Sequence, residues 1–219
     1  NGYSISCNGY SDGGIDLSIF GSVSPYSYLW STLETTQDIS NLSLNTYSVD
    51  ITDLNSCTTS TSFTLSEPTI IQALIVPTDY NGYSISCNGY SDGGIDLSVF
   101  GSVSPYSYLW STLETTQDIS SLSLGTYSVD ITDLNSCTTS TSFTLTEPTS
   151  LQTSIAASTD YNGYNISCNG YSDGGIDLVV SGSVPAYSYL WNTLETTQDI
   201  SSLSLGTYSV DITDLNSCT

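Results

Sequence analysis

Cysteine, aspartate and asparagine recur in this chain at fixed spacing. The string Ser6-Cys7-Asn8-Gly9-Tyr10-Ser11-Asp12-Gly13-Gly14 returns at Ser86 and again at Ser167. Each copy carries a second cysteine at the end of Asp53-Leu54-Asn55-Ser56-Cys57, repeated with Asp133, Asn135 and Cys137 and with Asp214, Asn216 and Cys218. Two chemistries suit such residues. Paired thiols form disulfides, and clustered carboxylates with amide oxygens are the hard donors that Ca²⁺ takes. Two cysteines and no histidine in each copy are too few ligands for a zinc site. Six cysteines allow fifteen pairings, and the sequence does not choose among them. A repeat that folds as a unit favours internal bonds, so the expectation is Cys7–Cys57, Cys87–Cys137 and Cys168–Cys218, each pair 50 residues apart. Closing such a loop is worth ~4 kcal/mol in the chain-entropy description. Disulfides place a protein outside the reducing cytoplasm. A Cys7–Cys57 bond would bring Asp12 beside Asp53 and Asn55, and the other copies would gather Asp92, Asp133 and Asn135, and Asp173, Asp214 and Asn216. Those nine residues are the candidate calcium ligands. No cofactor is required, and calcium is the one candidate. The competing reading is that Asp-Gly and Asn-Gly form turns whose aspartates cap their own loops.

The rest of the composition narrows the function. The 219 residues include 22 acidic side chains and no Lys, Arg or His, for a net charge of −22. Nucleic acid is excluded as a partner, because displacing phosphate counterions needs cations. Anionic membranes are excluded for the same reason, and no apolar run approaches the ~18 residues of a membrane span. Without His, Lys or Arg there is no common general base, no amine nucleophile and no usual oxyanion clamp. Paired carboxylates alone remain for acid–base catalysis. The expectation is a protein with no catalytic residues. Abundant Tyr, Trp and β-branched residues point to strands and away from disorder. The opening on Asn, with no initiator Met or signal segment, reads as a piece of a longer or processed protein.

The copies begin at Asn1, Asn81 and Asn162. Residues 1–69 and 81–149 differ at only four aligned positions, Ile19/Val99, Asn41/Ser121, Asn45/Gly125 and Ser66/Thr146. Such a period suits a whole small domain rather than a solenoid turn. The middle copy predicts seven short strands: Ile70–Val76, Tyr83–Cys87, Ile95–Phe100, Tyr106–Ser111, Asp118–Leu122, Thr126–Thr132 and Thr139–Leu145. Seven strands at this spacing, with no helical periodicity, predict an immunoglobulin-like Greek-key β-sandwich. The domains are then 1–69, lacking its opening strand, 70–149, complete, and 150–219, lacking its closing strand. Glu67-Pro68 makes a short, stiff link, so the array is expected to be a semi-rigid rod.

Within a copy, Tyr47, Val49 and Ile51 alternate with Ser48, Asp50 and Thr52 as a half-buried strand should. Tyr47, Tyr127 and Tyr208 enter this strand where a tyrosine corner belongs. Asn45, Gly125 and Gly206 precede it, and their shared tolerance for positive φ predicts a left-handed turn there. Tyr26, Tyr28 and Trp30 fall on one face of the Pro-Tyr-Ser-Tyr-Leu-Trp strand. They read as core, with Trp30, Trp110 and Trp191 against the opposite sheet; the rival reading is a glycan platform. Asn41-Leu-Ser and Asn165-Ile-Ser match the N-glycosylation sequon.

Taken together, Cys-x-Gly, Asp-Gly, Pro-Tyr-x-Tyr-x-Trp, Gly-Thr-Tyr-x-Val and Thr-Asp-x-x-x-Cys resemble the SprB-type repeat. The likeness covers nearly the whole chain; it departs at Ala186, which stands between Pro185 and Tyr187, and at Asn45, which stands where the pattern has Gly. The resemblance implies a cell-surface adhesin or filament of gliding Bacteroidota, exported by type IX secretion, in which these repeats form the stalk. Its partners would be neighbouring repeats of the same chain, other copies in a filament, and an external surface or glycan. A self-assembling matrix fibre built by strand exchange is the alternative.

Overall fold

The computed structural model describes residues 2–219. Among them there is no helix, and sixteen strands form six small sheets. In the first copy these are β1 (Gly13–Ile15), β2 (Ser27–Trp30), β3 (Ile39–Leu42), β4 (Thr46–Thr52) and β5 (Thr58–Thr64). The second copy contributes β6 (Gln72–Pro77), β7 (Gly93–Phe100), β8 (Ser107–Trp110), β9 (Ile119–Leu122), β10 (Gly125–Thr132) and β11 (Thr138–Leu145). The third contributes β12 (Gln152–Ser158), β13 (Gly174–Ser181), β14 (Ser188–Trp191), β15 (Ile200–Leu203) and β16 (Val210–Thr213).

The strand order is the same in every copy. One sheet runs β6-β7-β9 and the other β8-β10-β11. This is the A-B-E and C-F-G arrangement of immunoglobulin-like sandwiches without strand D. The first copy keeps β1-β3 and β2-β4-β5, and the third keeps β12-β13-β15 and β14-β16. The fold is therefore all-β and immunoglobulin-like. The complete second copy has six strands rather than the expected seven. Tyr83–Cys87 is the segment that forms none. Ser84 and Ile85 both donate their N–H to the carbonyl of Thr146, at 2.9 and 3.1 Å, and Ser86 donates its N–H to the Asp92 carboxylate at 3.1 Å, so these three residues do not run along a ladder.

The chain folds into two compact units. The first comprises Asn1–Leu74, Ser98–Gln117 and Ser128–Thr141, and the second Ile75–Leu97, Asp118–Tyr127 and Ser142–Thr219. In the first unit, Ile39 and Leu42 from one sheet and Trp30, Tyr47, Val49 and Ile51 from the other bury into a single core with Ile5 and Leu65. In the second, Leu178, Ile200 and Leu203 meet Trp191 and Ile212. Alternation fills these cores: Tyr47, Val49 and Ile51 are buried while Ser48 and Asp50 between them are exposed. The Trp30 indole satisfies its N–H on the carbonyl of Thr36 at 2.9 Å, which lets the whole ring leave solvent. Trp110 and Trp191 repeat this on Thr116 and Thr197.

The tyrosine hydroxyls reach four residues back along the chain. Tyr47 donates to Ser43 O at 2.9 Å, Tyr127 to Ser123 O at 2.9 Å and Tyr208 to Ser204 O at 2.8 Å. Tyr47 is buried, and the other two rings are half-buried. The turn before them differs from expectation. Neither Asn45 nor Gly125 nor Gly206 takes positive φ; Asn41, Ser121 and Ser202 do instead, at 58°, 58° and 60°. Position 45 is committed to pairing, since its carbonyl accepts the N–H of Leu65 at 3.0 Å. The left-handed residue falls inside the preceding strand, near the register shift where β1 meets β3.

Candidate functional site at the repeat junction

The two cysteines of one copy lie at opposite ends of its sandwich. β5 leaves Cys57 at one end and delivers Ser66 to the other, where the Ser66 carbonyl accepts the N–H of Ser4 and Ile5. Nine residues of extended chain separate Cys57 from Ser66, about 30 Å at the rise of a β-strand. A disulfide needs Cα atoms within roughly 7 Å. The expected pairs within each copy therefore do not form. Cys7 is joined instead to Cys137, with Cα atoms 5.7 Å apart, and Cys87 to Cys218, at 5.6 Å. Each bond links the first cysteine of one copy to the second cysteine of the next. Cys57 and Cys168 are free and exposed.

Both loops that meet at this bond are built by aspartates. On one side Asp133 is buried and its carboxylate accepts the N–H of Asn135 and of Cys137, both at 2.8 Å, the N–H of Val103 at 3.3 Å and the hydroxyl of Ser102. Ser136 turns through φ 68° to close the loop. Burial opposes ionisation of Asp133, but the Ser102 hydroxyl and the three N–H donors outweigh it, and the pKa lies below the usual carboxylate value. Asp214 is held in the same way by Ser183, Cys218, Val184 and Asn216, again with the pKa lowered. On the other side the Asp12 carboxylate accepts the Ser6 hydroxyl and the Ser6 N–H, and these bonds lower its pKa. Asp92 and Asp173 hold Ser86 and Ser167 in the same manner.

The docked loops also share hydrogen bonds. The Asn135 amide donates to the carbonyl of Ser6 at 2.8 Å. In the second unit Asn216 donates to Ser86 O at 3.0 Å and to Tyr80 O at 3.2 Å, and its own amide oxygen accepts from Asn81. The bonded cysteines Cys7, Cys137, Cys87 and Cys218 are all buried.

The link between copies is clamped beside this bond. The Asn8 amide donates to the Glu67 carboxylate at 2.9 Å and to Pro68 O at 3.1 Å, and the Gly9 N–H reaches Glu67 at 2.8 Å. Asn88, Gly89, Glu147 and Pro148 reproduce the same distances. From the far side, Ser102 donates its N–H to Thr69 O at 3.1 Å. Gly101 lies so close that a Cβ there would sit 2.2 Å from the carbonyl of Ile70, and Gly182 stands in the same relation to Ser150 at 2.1 Å.

These positions correct the calcium expectation. Asp12 does not gather with Asp53 and Asn55, because they occupy opposite ends of one sandwich. Among the described residues no three acidic or cysteine side chains converge on a common point. The nine candidate ligands are the scaffold of the junction loops, with Asn135 and Asn216 reaching across it. The aromatic ladder faces inward: Tyr26 and Tyr28 pack against the core of Trp30, and their hydroxyls bond to Gly21 O and to the Gln37 side chain. The roles of Glu67, Ser102 and Gly101 are not anticipated by motif reading. A signal for the first exists, since Asn-Gly and Glu-Pro recur at a constant separation of 59 residues.

The SprB repeat family matches the chain at residues 4–35, 84–115 and 164–196. Each of the three copies is similar to the SprB repeat. Each match starts just before the Cys-Asn-Gly loop and runs through the Pro-Tyr-x-Tyr-x-Trp strand or its Ala-containing third form, so one half of every junction lies inside the SprB match. No curated protein matches the chain. Among solved structures it is similar to an amphioxus IgVJ-C2 molecule, with 13% identity, 63% of this chain and 97% of that chain covered, and a TM-score of 0.29. It is also similar to the N-terminal eight immunoglobulin domains of Down Syndrome Cell Adhesion Molecule, with 11% identity, 82% and 26% coverage, and a TM-score of 0.27. A tetra-tandem repeat from the extending region of a large adhesion protein gives 10% identity, 98% and 62% coverage, and a TM-score of 0.23. These scores are low; the fold assignment stands on strand order and register.

Proposed function

We propose that this chain is part of the non-enzymatic stalk of an extracellular, filamentous surface adhesin used in attachment or gliding. The observation that carries the reading is the junction. Each copy is bonded covalently to the next, beside a clamped proline link, which suits a part that transmits tension. The disulfides favour an oxidising compartment, and a net charge of −22 favours a soluble chain through self-repulsion. Export by the type IX route and domain boundaries after residues 69 and 149 belong to the same proposal. The inward-facing Tyr26 and Tyr28 leave the glycan-platform reading without an exposed ladder.

The test is antibody labelling of the repeat on intact, living cells, followed by fluorescence over time. Label that appears without permeabilisation and travels along the surface supports a gliding stalk. Stationary label supports attachment, and label that appears only after permeabilisation overturns the proposal.

A further inference from the structure

Sheet edges are guarded in proteins by charge, proline, bulges or short length, because an open row of N–H and C=O groups invites another strand. The second copy has four such edges. β8 and β9 are only four residues long, and Ser121 breaks β9 with φ 58°. β6 ends on Pro77. β11 has none of these guards. It runs for eight residues, Thr138–Leu145, without a charge or a proline. β5 carries the same sequence over Thr58–Thr64, and its register against β4 passes from Thr52 opposite Thr58 to Thr46 opposite Thr64 without a bulge. β11 belongs to the copy that has both its opening and its closing strand, so the open edge is a property of the repeat itself.

The backbone groups along this edge follow from the ladder. Asp53 donates its N–H to Cys57 O, and Leu65 donates its own to Asn45 O, both at 3.0 Å. Inward and outward groups alternate along an antiparallel pair. Thr59, Thr61 and Phe63 therefore bond to β4, while Thr58, Ser60, Ser62 and Thr64 aim their N–H and C=O away from it. In β11 the Asp133 N–H on Cys137 O sets the same phase, and Thr138, Ser140, Ser142 and Thr144 point outward. All eight side chains are exposed, and among the described residues no hydrogen bond reaches these backbone groups.

We infer that β5 and β11 are docking edges for a second copy of this chain, each pairing antiparallel with the same strand of its partner. Two observations select that occupant. The first is sequence symmetry: Thr-Thr-Ser-Thr-Ser-Phe-Thr reads nearly the same in both directions about Thr61. Self-pairing there sets Thr58 opposite Thr64 and Ser60 opposite Ser62. These are hydroxyl pairs of the kind already made between Thr46 and Thr64 at 2.7 Å and between Thr126 and Thr144 at 2.8 Å. The second is charge. With 22 carboxylates and no cation, two copies repel wherever acidic faces meet, and these edges carry no carboxylate. On the adjoining strand Asp50 stands opposite Ser60, which puts it ~15 Å from its equivalent across the pair. That exceeds the ~10 Å screening length at ~0.1 M salt but not the ~30 Å at ~0.01 M. The contact therefore closes as ionic strength rises. It is independent of any role in adhesion.

The test is sedimentation equilibrium of the purified full chain, with its disulfides intact and the Cys57 and Cys168 thiols alkylated so that no new disulfide forms. Association should be at least roughly ten-fold tighter in ~500 mM salt than in ~10 mM salt. Proline is tolerated on an edge strand where its missing N–H faces solvent. Ser60→Pro with Ser140→Pro removes an outward donor from each edge and leaves the ladders to β4 and β10. This variant should lose at least roughly ten-fold in association at the higher salt. Amide exchange of the unaltered chain, followed by NMR, needs no variant. Raising the chain concentration at the higher salt should slow the N–H groups of Ser60, Ser62, Ser140 and Ser142, while those of Thr59 and Thr61 are slow throughout. A chain that stays monomeric at the higher salt would overturn the inference. So would a folded proline variant that associates like the parent, or a dimer whose outward amides exchange as fast as the monomer's.

Discussion

At the scale of single residues, aspartates do the work of shaping loops. Asp12, Asp53, Asp133, Asp173 and Asp214 all have pKa values lowered below the ordinary 3.8 by the hydroxyl and N–H groups they accept from. A carboxyl whose pKa is lower folded than unfolded stabilises the fold fully above the unfolded value, and that contribution is lost as pH falls through the folded one. Thermal stability should therefore be level from neutral pH down to about 4 and decline below it, as melting curves taken across that range will show. The buried Asp133 should matter most. Asp133→Ala leaves the Asn135, Cys137 and Val103 N–H groups without their acceptor, and should cost about 2–3 kcal/mol in a denaturant titration. Asp50, exposed on the corresponding sheet of the first copy, should tolerate alanine within about 0.5 kcal/mol.

At the scale of elements, strands are legible where side chains alternate between core and water. β4, β10 and the tryptophan strands follow from Tyr-Ser-Val-Asp-Ile and Tyr-Ser-Tyr-Leu-Trp, because a period of two is a local property. Tyr83–Cys87 shows the limit of that signal. Its alternation is as good, yet the N–H groups of Ser84 and Ile85 share one distant carbonyl and that of Ser86 turns to the Asp92 carboxylate, a matter of tertiary placement. Cysteine pairing is hidden for the same reason: which ends of two sandwiches face each other is not written within either copy. Glycine gives a test of this junction. Gly21, Gly101 and Gly182 all have φ near +80°, but only the last two abut the preceding link, whereas a Cβ on Gly21 meets nothing within 4 Å. Gly21→Ala should cost the backbone term alone, about 1–2 kcal/mol. Gly101→Ala should cost clearly more, since the Ile70 carbonyl must move as well; paired melting curves of the two variants give the comparison.

At the scale of the whole molecule, each disulfide closes a loop of 130 or 131 residues. In the chain-entropy description such a loop is worth about 5 kcal/mol, so reduction should bring a large drop in the unfolding midpoint. Cys7→Ser with Cys137→Ser should reproduce about half of that drop, and a variant pair that unfolds like the oxidised parent would show the staple to be mechanically present but thermodynamically idle. The two loops also overlap, between Cys87 and Cys137. Had each copy been closed on itself, a protease cutting either connecting segment would have parted the chain. Here a single cut anywhere from Cys7 to Cys218 falls inside at least one closed ring, and the pieces stay attached. The protein is thus wound like a lock-stitched seam, in which severing one thread at any point between the outermost stitches does not open the fabric.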